Sequence, residues 1–174
     1  MAIYLSKKII NEFLHHAQVD YPQECCGFIL GRLEKNKSLG VEYIQTKNIQ
    51  EKNKERRFLI DPIEYIRVED LAEEKELSII SIVHSHPDHP NTPSEFDRAH
   101  SWPGFSYVII SVINGISKSF RSWILDEDRM KFSDEKETSK NSNDNENIDE
   151  LYEAALEIIK SERKASTSFL QRKL

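Results

Sequence analysis

Between His84 and Asp97 the chain reads HSHPDHPNTPSEFD, three histidines and two aspartates within fourteen positions. Imidazole nitrogens and carboxylate oxygens are ligands for zinc and for several other first-row divalent ions. Two ligand sets can be drawn from the stretch. One takes His84, His86, Asp88 and His89; the other takes His84, His86 and Asp97, with Ser94 beside them. Two imidazoles and one carboxylate leave a fourth position for water, which is the catalytic rather than the structural pattern for zinc. Zinc in such a site brings its water to a pKa of about 7 and polarises a carbonyl. Hydrolysis there also requires a group that moves the proton and a donor for the oxyanion.

These side chains converge only if the neighbouring elements aim them. LSIISIV, residues 77–83, is almost continuously apolar or small and ends at His84, the pattern of a central strand buried on both faces. Positions i and i+2 of a strand share a face, so His84 and His86 point the same way if the strand persists. Ser94 and Asp97 are three apart at the start of a short helix and share a face of it. The loop with Pro87, Pro90 and Pro93 is short enough to fold that face back over the strand end.

Upstream, Ser6 caps a helix whose Ile9, Ile10, Phe13, Leu14 and Ala17 keep helical spacing, and Pro22 closes it. CGFILG and GVEYIQT read as two strands joined by RLEKNKSL, and RFLI as a third, short one. Asp61-Pro62 opens a second helix that runs to about Glu74. After the histidine stretch, YVIISVI and SFRSWIL form a strand pair turning at Asn114-Gly115. The expected fold class is α/β, a mixed β-sheet flanked by helices, over residues 1–132.

Residues 133–147, SDEKETSKNSNDNEN, contain no apolar side chain and read as a disordered linker, because nothing there offsets the entropy of ordering. Residues 148–174 then read as a C-terminal amphipathic helix with Leu151, Ala155, Ile158 and Ile159 on one side. Such a helix docks either on its own domain or on a partner, a second copy of the chain included. The net charge of −6, without a clustered basic face, excludes nucleic acid as the expected partner. No apolar run is long enough for a signal peptide or membrane span, so a cytoplasmic protein is expected. The only cysteines, Cys25 and Cys26, are adjacent and make a poor staple, which fits a reducing compartment.

Two families share parts of this pattern. His84-x-His86-x-Asp88-His89 resembles the signature of the metallo-β-lactamase-like hydrolases, but that resemblance also implies histidine ligands well downstream. Only His100 follows His89, and it lies too near. The second resemblance is to the JAMM (MPN+) zinc metalloproteases. Their motif is an upstream Glu, then His-x-His, seven residues, Ser, two residues and Asp, and His84, His86, Ser94 and Asp97 meet every spacing. YPQECCGFILG looks like the family's strand carrying the Glu, and WPGFSYVIIS like the strand after the motif in short prokaryotic members. The resemblance covers about residues 1–126 and implies that His84, His86 and Asp97 ligate one Zn2+ per chain. It further implies that Glu24 is the general acid/base and that Ser94 donates to the oxyanion.

Members of this kind hydrolyse the amide or isopeptide bond after the C-terminal Gly-Gly of ubiquitin-like proteins. Only Arg98 to Phe105 separate Asp97 from the next strand, without the insertions of ubiquitin-chain enzymes, so the resemblance implies a sulfur-carrier type of ubiquitin-like substrate. A different class is a non-catalytic MPN scaffold; scaffolds typically lack part of the ligand set, which is complete here. Of the remaining residues, alternation is expected to send only one of Cys25 and Cys26 inward. Asp88 and His89 read as a solvated loop tip, with substrate contact as the alternative, His15, His16 and His100 as ordinary surface or helix residues, and Trp102 as either packing beneath the site or a substrate wall, packing being favoured.

Overall fold

The computed structural model describes residues 2–140. In chain order these form β1 (Ala2–Ser6), α1 (Lys7–Asp20), β2 (Cys26–Glu34), β3 (Lys37–Thr46), α2 (Pro62–Glu74), β4 (Ser78–Pro87), α3 (Glu95–His100), β5 (Ser106–Ile113), β6 (Ile116–Leu125) and β7 (Phe132–Lys140). The strands follow one another in the order β1-β3-β2-β4-β5-β6-β7 and close into a barrel. The pairs β1–β3 and β4–β5 are parallel and the other described pairs antiparallel, so the sheet is mixed, as expected.

Helix positions follow from their caps. The Ser6 side chain accepts from the Ile9 N–H to start α1, and Asp61 accepts from the Ile63 N–H to start α2 with Pro62 next to it. The apolar stripe of α1, Ile9, Phe13 and Ala17, packs with Ile3, Ile29, Val83 and Val108 in one core. Val68 and Ala72 of α2 pack with Phe28, Leu30 and Ile79 in another. Alternate residues of β2 thus enter opposite cores, which is why its sequence is apolar without interruption. It also corrects the expectation for the cysteines: Cys25 and Cys26 are both fully buried and unpaired. Gly31 lies where β2 and β3 approach most tightly, since a Cβ there would meet the Leu39 carbonyl oxygen at 2.1 Å. Between β5 and β6, Asn114 and Gly115 both take positive φ, the conformation that a two-residue hairpin turn requires.

Two sequence expectations fail, and one strand had not been expected. RFLI makes no strand; residues 57–60 run as loop. AIYLS, which carried no expectation, is β1, ordered by parallel pairing with β3. The largest correction concerns the linker, whose first residues to Lys140 continue β7 from Phe132. Asp134 stands opposite Trp123 and Glu135 opposite Ser122, and Glu135 is buried with its Oε2 accepting from the Ser122 hydroxyl at 2.7 Å. Pairing with β6 supplies what composition did not, so the domain passes beyond the expected boundary at residue 132. The remainder of the linker and the expected C-terminal helix, with its docking on a partner or second subunit, lie outside the described residues. Among the described residues no helix is long and apolar enough to cross a membrane.

Candidate active site

The antiparallel register of β2 on β4 sets Cys26 opposite His84, and the Ser85 N–H bonds the Cys25 carbonyl at 3.2 Å. Glu24, just beyond the end of β2, therefore comes to His86. The Ser85 hydroxyl accepts from the Cys25 N–H at 2.9 Å and locks this junction from the opposite face. β4 remains a strand through Pro87, so His84 and His86 share a face as expected. Their Nε2 atoms are 3.1 Å apart. Asp97 faces both, with Oδ1 3.4 Å from His84 Nε2 and Oδ2 3.5 Å from His86 Nε2. All three are buried, and together they form a group whose ligand atoms lie close enough to hold one metal ion.

The donor set fits a divalent cation. His86 Nδ1 lies 2.8 Å from the Pro90 carbonyl, which can only accept, so that nitrogen carries the ring proton and Nε2 presents its lone pair inward. Without a cation, protons must fill the gap between three inward-facing acceptors. Burial lowers His86, but its hydrogen bond to Asp97 and the Asp97 charge outweigh that and raise it. Burial pushes Asp97 up, yet its hydrogen bonds with His84, His86 and Ser94 and the His84 charge hold it far below the usual carboxylate range. His84, fully enclosed, is lowered by desolvation, and its Nδ1 has no hydrogen-bond partner. Phe58 stacks on its ring with centroids 4.7 Å apart.

Ser94 and Asp97 owe their places to a capping box. The Ser94 hydroxyl accepts from the Asp97 N–H at 3.1 Å, and Asp97 Oδ2 accepts from the Ser94 N–H at 2.6 Å. The same three-residue spacing that puts both side chains on one face thus starts α3. The Ser94 oxygen accepts in the cap, and its O–H is a donor on the side of Asp97 and the cleft. The intervening loop is pinned to the sheet: the Ser111 hydroxyl bonds the His89 carbonyl at 2.7 Å, and the Trp123 indole N–H bonds the Asn91 carbonyl at 2.9 Å.

Asp88 and His89 do not join the metal group. Asp88 adopts positive φ, and its carboxylate accepts from the Asn114 N–H at 2.8 Å and the Tyr21 hydroxyl at 2.9 Å. It is exposed, as expected of a loop tip, and it also braces the loop. The lactamase-like set of His84, His86, Asp88 and His89 is therefore excluded, because one of its ligands is turned away and committed elsewhere. His89 instead lines a small cleft with Glu24, His86 and Ser94.

Glu24 is buried, and desolvation pushes its carboxyl up to about 8 against the pull of His86 and of Arg57 and Arg56. Its backbone is fixed by a loop that carried no functional expectation. The Glu24 N–H bonds the Lys54 carbonyl at 2.7 Å, and Asn48 Nδ2 donates to the carbonyls of Glu24 and Arg57, each at 3.0 Å. Asn48 Oδ1 accepts from the Gln50 and Leu59 N–H groups at 3.0 and 3.1 Å. One buried amide thereby holds Glu24 and the loop that carries Arg56 and Arg57. Both arginines line the cleft of about 210 Å³ beside Glu24.

On the other side of the histidines lies an apolar cavity of about 660 Å³, walled by Phe28, Phe58, Tyr65, Phe96, Trp102 and Phe105 and reaching His84 and Asp97. Trp102 is a wall and not a packing residue: it is 64% exposed, with the Arg129 guanidinium 4.9 Å from its ring. His100 lines the same cavity and stacks on Phe96. His16 also departs from expectation. It is buried, with Nδ1 2.8 Å from the Tyr43 hydroxyl and Nε2 3.2 Å from Asp20.

Residues 6–126 match the family model for prokaryotic homologs of the JAB domain. The chain belongs to that family. It is 31% identical over 106 residues to a protein named desampylase from Pyrococcus furiosus, covering 60% of this chain and 68% of that one. It is also 34% identical over 95 residues to tail tip assembly protein K of Escherichia phage N15. That match takes in 55% of this chain but only 35% of the phage protein. Among solved structures, a protein from Desulfitobacterium hafniense superposes with a TM-score of 0.71 at 26% identity, covering 80% of this chain and 94% of that one. A Salinibacter ruber protein does so at 0.63 and 30% identity, covering 82% and 93%. The prokaryotic JAB-type membership agrees with the short JAMM/MPN resemblance of the sequence.

Proposed function

We propose that this chain is a zinc-dependent hydrolase that cuts the amide or isopeptide bond after the C-terminal Gly-Gly of a ubiquitin-like, sulfur-carrier type of protein. The observation that carries the reading is the convergence of His84, His86 and Asp97 from a strand end and a helix start, with Glu24 and Ser94 on the adjoining cleft. Family membership and the likeness to a protein named desampylase support a modifier-directed substrate.

His84 Nε2, His86 Nε2 and an Asp97 carboxylate oxygen would hold the ion. When bound, zinc supplies Lewis acidity, polarising a carbonyl and making a water acidic at neutral pH. The chain's own residues do the rest. Glu24 takes the proton from the attacking water and returns it to the departing nitrogen; burial favours the neutral acid while the surrounding cations favour the carboxylate, so it is poised for both steps. Ser94 Oγ–H donates to the oxygen that gains charge, from an orientation that the capping box fixes. The Pro90 carbonyl keeps the His86 ring turned, and Phe58 excludes water from the back of His84.

The test is to incubate a Gly-Gly carrier bearing a C-terminal adduct with zinc-loaded protein, with protein stripped by chelator, and with stripped protein given zinc again. Release of the adduct with zinc, its loss on stripping and its return on reloading are expected. Zinc-loaded protein that leaves every such carrier intact refutes the assignment.

A further inference from the structure

Resting on the hydrolytic reading above, we propose that Arg56 and Arg57 form a carboxylate-binding subsite for the leaving group. The preferred substrate is then a Gly-Gly tail extended by a residue with a free α-carboxylate, and not a tail joined to the lysine side chain of a folded protein.

The side of the cleft decides which half of the substrate the arginines meet. An acid that protonates the departing nitrogen must lie next to it. Glu24 lines the small cleft together with both arginines, so the leaving group occupies that cleft. Its volume of about 210 Å³ falls below the roughly 300–1,000 Å³ of ordinary small-molecule sites, and Pro90 and Pro93 stiffen one wall. That space suits a leaving group of residue size.

Neither arginine closes onto a carboxylate in an ion pair, as several other described arginines do. Arg67, Arg98 and Arg121 each close onto a carboxylate, those of Glu64, Glu95 and Asp134. The Arg57 guanidinium reaches only the Arg56 carbonyl and the face of Phe96, 4.0 Å from the ring centroid. The Arg56 side chain has no hydrogen-bond, ion-pair or ring partner among the described residues. Glu51 and Glu55 lie close in sequence, yet neither pairs with them. Two guanidiniums without carboxylates, one of them oriented by stacking, make a fork suited to bidentate recognition of a carboxylate. In an α-amino acid the carboxylate is two bonds from the nitrogen that Glu24 must protonate. Asn48 holds the carbonyls of Glu24 and Arg57 on one amide, so acid and fork keep a fixed spacing.

The experiment compares two forms of one probe, the peptide acetyl-Leu-Gly-Gly-Ala as free acid and as carboxamide. kcat/KM is measured with zinc-loaded protein, and affinity with the zinc-loaded Glu24→Gln variant, in which turnover is off. The free acid is expected to be favoured at least tenfold in both readouts. Arg56→Gln and Arg57→Gln are each expected to bring the ratio towards one. Arg56→Gln breaks no hydrogen bond or ion pair of the fold, and its effect on the Glu24 carboxyl falls on acid and amide probes alike, so neither imitates a lost preference. Equal or undetectable affinities for acid and amide overturn the subsite, as does a preference that survives in both variants. If the probe binds with the expected preference but is never cut, the subsite stands and the hydrolytic reading falls.

Discussion

His84, His86 and Asp97 sit on a strand end and a helix start, whereas Glu24, Arg56 and Arg57 come from chain without regular structure that one amide, Asn48, ties together. The first wall is built from hydrogen-bond ladders and a capping box, and each of its bonds has neighbours that repeat it. The second hangs on one amide with four hydrogen bonds and on the Glu24 N–H to Lys54 carbonyl bond. A change in the first wall should therefore remove the ligand set itself. A change in the second should leave the metal in place and misalign what acts around it.

The sharpest separation comes from Asp97→Ala, which deletes one of three ligands and half of the capping box together. Zinc per chain should fall from near one to near zero, with activity following it. His89→Ala, on the cleft but outside the ligand group, should keep its zinc. Elemental analysis of both variants decides this; zinc kept by the Asp97 variant breaks the division between the walls.

Ser94→Ala crosses the division, because one hydroxyl caps α3 and faces the cleft. Loss of the cap should cost about 1 kcal/mol. Loss of the donor should lower turnover on the order of 10²-fold with zinc content unchanged. Ser94→Thr keeps both functions and should recover most of each. If alanine lowers stability without changing turnover, the hydroxyl is a cap only.

Asn48→Ala tests the second wall. It strips partners from two carbonyls and two N–H groups in a buried place and should cost about 2–4 kcal/mol in urea unfolding. kcat/KM should fall while zinc per chain holds, since no ligand rests on Asn48. Zinc lost in parallel with activity would show that the two walls are one mechanical unit.

The same contrast explains what the sequence disclosed. The ligand spacing was readable because His84 to Asp97 is a local stretch, and period-two strand and three-residue helix geometry convert it directly into a shared face. Glu24 became readable only through the resemblance, for its approach depends on the β2–β4 register sixty residues away. Asn48, Arg56 and Arg57 stand in a polar run, KNIQEKNKERR, with the composition of any solvated loop; only the junction formed by folding distinguishes them. β7 was hidden for a related reason. Its side chains are polar, and the order it gains comes from pairing with β6 and from the buried Glu135–Ser122 contact, neither visible in a composition window.

The buried acid of the second wall also gives the metal-free protein a pH-dependent stability. Burial raises the Glu24 carboxyl from 4.5 to about 8 in the fold, whereas in the unfolded chain it ionises at its ordinary value. Between these values the folded state holds a proton that the unfolded state has released, so stability falls as pH rises through that window. The contribution is complete below about pH 4.5 and lost by the time pH passes about 8. Glu24→Gln carries a neutral isostere at every pH and should not share this loss. The raised His86 weakens the fold in the same direction and the lowered His84 in the opposite one. Because the Glu24 charge helps to raise His86, the difference between the two urea midpoints reports Glu24 together with that coupling. It should grow in favour of the variant from pH 5 to pH 8 in chelator-treated protein. A constant difference would mean that Glu24 is as well solvated as an ordinary surface carboxylate, and the second wall would then lose the buried acid on which its role depends.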